Sequence, residues 1–149
     1  MVSAVARATA ALFVVGLGLA VSTAAQTRSA KATVKIGNDA FSYQGGYCLV
    51  ASDGSNLQVL IGQTRPVPKE GVLLSAGTIV RASSKSLKGG GHVAGNDLLI
   101  LVAHANQDYS PGTQDEDKSE AVLAPDLKSG TFTGISRVGG RSISGSFTC

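Results

Sequence analysis

The chain has 149 residues and a formal charge of +3, and once a leader of about 25 residues is set aside the remainder is the length of one ordinary domain, which excludes a second. Setting the leader aside removes Arg7 and leaves 12 basic against 10 acidic side chains, a balance too even for a nucleic-acid binder, which would need a dense basic face with stacking aromatics. Nineteen glycines and no tryptophan favour short strands joined by tight turns over a helical bundle.

Residues 1–25 read as a secretory signal peptide. Arg7 supplies the basic start, an apolar run extends from Ala11 to Val21, and Ser22, Thr23, Ala24 and Ala25 form a small-residue exit, so cleavage is expected after Ala25. About 11 apolar residues make ~17 Å of helix, well short of a hydrocarbon core of about 30 Å, and no later run could span it. No cysteine precedes Cys48, so acyl anchoring at the leader's end is not expected. The expected location is secreted or cell-envelope associated.

Residues 26–31 are predicted to be a short disordered lead-in and residues 32–149 one β domain. Val34 and Ile36 alternate with polar neighbours up to Gly37, which predicts a first strand. A turn at Gly45 and Gly46 precedes a strand over 47–51, and a turn over 53–56 leads to a strand over 57–61 whose odd positions are all apolar. Pro66 and Pro68 argue against regular pairing over 65–69, after which a strand over 72–81 is expected to bend at Gly77. Residues 83–95 read as a polar, Gly-rich loop and 98–103 as a central strand covered on both faces. After a second loop, 116–123 suggests one or two helical turns. A closing hairpin, 130–135 and 142–149, turns at Gly139 and Gly140 and sets Ile143, Gly145, Phe147 and Cys149 on one face. The expected fold is mainly β, a single antiparallel sandwich or curved half-barrel of about six to eight strands with at most one short helix.

Chemistry-bearing patterns are sparse. Gly89, Gly91 and Ala94 match a loosened dinucleotide fingerprint, but an apolar strand follows where a helix should begin, so a loop tip is expected. His92 and His104 lie at opposite ends of a strand and lack the further ligands a zinc site needs. Ser142 sits in a predicted strand, without the tight turn of a hydrolytic nucleophile. Asp115, Glu116, Asp117 and Glu120 lack the spacing of a calcium loop and read as a solvated acidic stretch. No catalytic residue, cofactor or metal site is therefore expected.

Two cysteines permit one intramolecular pairing in an oxidising compartment. Cys48 shares a face with Val50 and Cys149 with Phe147, so both thiols are expected to point inward and bridge two strands or sheets.

The residues Val34 to Gly37, Gly46-Tyr47-Cys48, Leu57 to Gly62, Gly130 to Gly134 and Gly145 to Cys149 together resemble the mycobacterial nineteen-kilodalton lipoprotein antigen family, LpqH and its actinobacterial relatives. That resemblance implies an exported, disulfide-bonded β domain displayed at the cell surface, immunogenic and without catalytic activity. Two departures stand out: the acylation cysteine is missing, and no long Ser/Thr/Gly-rich stalk follows the leader. The expected function is a non-catalytic, secreted or envelope-associated, antigen-like domain acting through its surface on an envelope or host partner. The alternative is a small-molecule or lipid carrier with an apolar cavity lined by Leu73, Leu74, Ile79, Val80 and 98–102.

Overall fold

The structure, a computed structural model, describes residues 30–65, 67–77, 86–112 and 118–149; residues 1–25, expected to be a signal peptide, lie outside it. Within the described residues the chain forms eleven strands and one short 3-10 helix, Gly95–Asp97. The strands are β1 (Lys31–Ile36), β2 (Asp39–Gln44), β3 (Gly46–Val50), β4 (Asn56–Arg65), β5 (Val67–Gly77), β6 (Gly91–Ala94), β7 (Leu98–His104), β8 (Gln107–Tyr109), β9 (Glu120–Leu123), β10 (Ser129–Ile135) and β11 (Ser142–Thr148).

All pairings are antiparallel. They build a six-stranded sheet in the order β2-β1-β11-β10-β9-β6 and a five-stranded sheet in the order β3-β4-β5-β7-β8. The mainly β, sandwich-like class expected from sequence is the fold observed. Val34, Ile36, Phe132, Ile143 and Phe147 from the first sheet meet Leu57, Val59, Ile61, Leu74, Ile100 and Val102 from the second in one core. Period-two alternation puts these side chains on the inner faces, and each large one adds roughly 1.5–3 kcal/mol of transfer free energy when fully buried.

The chain passes between sheets at Gly45 and Gly46, where φ is 84° and 108°. The Gly45 N–H donates to Ala30 O at 2.9 Å on one side, and the Gly62 N–H donates to Gly45 O at 3.1 Å on the other. A methyl group on Gly46 would run into the Leu60 carbonyl, so glycine is required on both conformational and steric grounds. The Cys48–Cys149 disulfide spans the same two sheets, with a Cα–Cα separation of 5.8 Å.

Four local expectations are corrected. Residues 120–123 form strand β9 and not a helix, because Glu120-Ala-Val-Leu123 alternates exposed and buried and is paired on both sides, by β10 and β6. The Gly-rich loop contains β6, held by that same β9. The prolines do not interrupt the long hairpin: β4 and β5 run on to Arg65 and Val67, absorbing the change through a register shift at Gln63/Thr64. Lys31 already belongs to β1 and Ala30 is fully buried, so the domain starts before the end of the expected lead-in.

Candidate functional site

Titratable groups from different elements converge at one rim of the sandwich. Tyr43 (β2) belongs to the six-stranded sheet, Glu70 (β5) and His104 (β7) to the other. His104 Nδ1 lies 3.0 Å from Glu70 Oε2 and 3.0 Å from the Tyr43 hydroxyl, while the other carboxylate oxygen, Oε1, accepts the Ala105 N–H at 2.7 Å. Glu70 thereby selects the tautomer that carries its proton on Nδ1, since a lone pair there would face the carboxylate. The Tyr43 hydroxyl then donates to Ala103 O at 3.4 Å. Phe41, also on β2, packs on the imidazole with ring centroids 3.7 Å apart.

Local sequence fixes this arrangement. Ala105 and Asn106 have φ of 51° and 61°, the two left-handed residues of a tight hairpin turn, which end β7 at His104 and aim the Ala105 N–H at Glu70. Burial first, and the Glu70 carboxylate second, push the Tyr43 phenol up to about 12, so it stays a neutral hydroxyl. Through Nδ1 the cluster ties the two sheets together; its groups are spent on one another.

The other sequence candidates are scattered. His92 lies on β6 with Nε2 3.6 Å from Glu120 Oε2, and both side chains are more than half exposed, so the pair contributes little. A cleft of about 470 Å³ opens beside it, among Gly77, Leu87, Val93 and Asp97. Gly91 and Ala94 pair in a ladder, and the 3-10 turn that follows is three residues long. Ser142 is an exposed strand start. Asp115, Glu116 and Asp117 lie outside the described residues. Among the described residues no group of three or more His, Cys, Asp or Glu side chains could hold a metal, and no helix is long and apolar enough to cross a membrane. Of the residues named for an apolar cavity, Leu74, Leu98, Ile100 and Val102 are fully buried core, Leu73 faces outward, and Ile79 and Val80 lie outside the described residues.

Among the described residues, the outer face of the six-stranded sheet carries an ordered set of polar groups. Its register aligns Ser42, Thr33, Ser146 and Thr131 in a single row across β2, β1, β11 and β10. Ser144 and Thr133 form a parallel segment on one side of it, Thr148 and Ser129 on the other. None of these hydroxyls has a hydrogen-bond partner among the described residues. Neighbours repeat at about 4.8 Å between strands and ~6.7 Å along them. A shallow recess of about 350 Å³ lies in the middle of the face. The opposite outer face differs in kind: Tyr47, Leu60, Leu73 and Leu101 align across β3, β4, β5 and β7. Neither the hydroxyl rows nor the Tyr43–Glu70–His104 cluster was named from sequence. The rows were half visible in the Ser/Thr alternation of β11, but they form only when register joins four strands.

Compared with family models, with curated proteins and with solved structures, the chain matches none.

Proposed function

We propose that the chain is an exported, non-catalytic domain of the cell envelope, antigen-like in kind, that acts by binding through its surface. The observation that carries this reading is the contrast between its polar groups. Those of the interior rim satisfy one another, whereas the Ser and Thr hydroxyls of the six-stranded sheet are laid out in register and left unspent toward solvent. The disulfide suits an oxidising compartment, and the resemblance to the nineteen-kilodalton lipoprotein antigens supports the same assignment. The lipid-carrier alternative has less to stand on, because four of the side chains it needs are sealed between the sheets.

Sedimentation tests the proposal. Purified protein mixed with isolated envelope should pellet saturably, and Thr33→Val/Thr131→Val should weaken the association. Organic extraction of the protein should yield no stoichiometric lipid. Protein that stays in the supernatant, or that carries one equivalent of lipid, would overturn the reading.

A further inference from the structure

The hydroxyl rows run beside two cations. Lys31 and Lys35 flank Thr33 on β1 and project from the same outer face, and neither takes part in an ion pair among the described residues. Four residues apart on one strand, their positions are separated by about 13 Å. The carboxylate that shares their rows, Glu120, lies three strands away from Lys35 and faces His92. The recess opens between Thr33, Thr131, Thr133, Ser144 and Ser146, with Lys35 at its rim. No aromatic side chain projects here, because Phe41, Tyr43, Phe132 and Phe147 all lie in inner-facing register positions.

We infer that this face binds an acidic glycan: a hydroxyl-rich chain whose carboxylates reach Lys31 and Lys35 while its hydroxyls meet the Ser and Thr rows. The inference rests on the surface-binding reading above and names its ligand class. Serine and threonine hydroxyls donate and accept, as sugar hydroxyls do, so the two surfaces are complementary group by group. Neutral hydrogen bonds exchanged for water return little net free energy each, whereas bonds to charged groups return about twice as much. The rows therefore set register and the two ammonium groups supply much of the affinity. A neutral glycan lacks the charge, and without an aromatic platform its apolar ring faces gain nothing. Single-stranded nucleic acid wants stacking aromatics in a basic groove, which this face lacks.

Binding to immobilised polygalacturonate, with dextran and a dT oligonucleotide as comparisons, tests the inference on the purified protein. Polygalacturonate should retain it in a salt-dependent manner, and the two comparisons should not. Lys31→Gln/Lys35→Gln should lower affinity at least tenfold and Thr33→Val/Thr131→Val at least threefold. Gln58→Ala, on the outer face of the other sheet, should leave it unchanged, with all melting midpoints within a few degrees of the parent. Equal retention on dextran or dT, or binding indifferent to the row and lysine variants, overturns the inference. Failure to bind polygalacturonate while envelope sedimentation still depends on Thr33 and Thr131 overturns the glycan alone. Loss of both overturns the surface reading as well.

Discussion

Phe132 lies over Gly145, its direct partner across the β10–β11 ladder, and two residues along the same ladder Phe147 lies over Gly130. A methyl group on Gly145 would come within 2.5 Å of Phe132 Cζ, and one on Gly130 within 2.8 Å of Phe147 Cε1. The two rings are therefore seated in grooves that only glycine leaves open, which turns two weak strand residues into packing partners.

Gly145→Ala should accordingly cost about 1–3 kcal/mol by overpacking, and Phe132→Ala about 3–5 kcal/mol by leaving a cavity. Because the partners touch, the double variant should cost less than the sum of the two. Urea melts of the four proteins check this; strict additivity would show that ring and glycine do not act together.

The disulfide joins residues 101 apart in sequence and fastens the end of β11 to the other sheet. Cys149→Ser should lower stability by roughly 2–5 kcal/mol. Reductant should shift the denaturation midpoint of the parent and leave that of the variant in place. Coincident midpoints for oxidised and reduced parent would contradict this.

The phenol of Tyr43 holds its proton more tightly in the folded chain, at about 12 against an ordinary 10.0. Its contribution to stability is therefore complete below pH 10, and it is lost as pH rises through 12, where the folded state must also give up the proton. Tyr43→Phe should flatten the fall in stability across that window while leaving the slope below it unchanged. Chemical denaturation at stepped alkaline pH measures both slopes, and an identical fall in parent and variant would assign it to other groups.

Ser119, just ahead of β9, is buried, and its hydroxyl has no hydrogen-bond partner among the described residues. Ser119→Ala removes a desolvated group that gains nothing in return, so stability should rise by about 0.5–2 kcal/mol. A calorimetric melt decides it; a lowered midpoint would mean that the hydroxyl has a partner when the protein is in solution.

Alternation makes much of this fold legible in the amino-acid sequence. Leu57, Val59 and Ile61 announced the inner face of β4, and Ile143 and Phe147 that of β11, and Cys48 and Cys149 fell on matching faces. What stayed hidden depends on contacts between distant segments. Tyr43 and Glu70 are 61 and 34 residues from His104, and no local pattern links them. In β9, Glu120-Ala-Val-Leu123 has ordinary helix formers at both ends, and only the ladders on its two sides decide for a strand. Leu99 and Leu101 read as part of a strand buried on both faces, yet they are half-buried and face away from the core.

The placement of Cys48 and Cys149 also governs what a protease can achieve. Strands β3 to β11 lie within the covalent ring closed by the bridge, so one cut anywhere inside it leaves two pieces still tethered, with most of their ladders in place. Strands β1 and β2 lie outside that ring, and a cut at the Gly45 corner would leave their hairpin held by noncovalent contacts alone, chiefly the β1–β11 ladder. Half of the hydroxyl row and both lysines that flank it would leave with that hairpin. Under attack the domain would lose its outward-facing chemistry before its core.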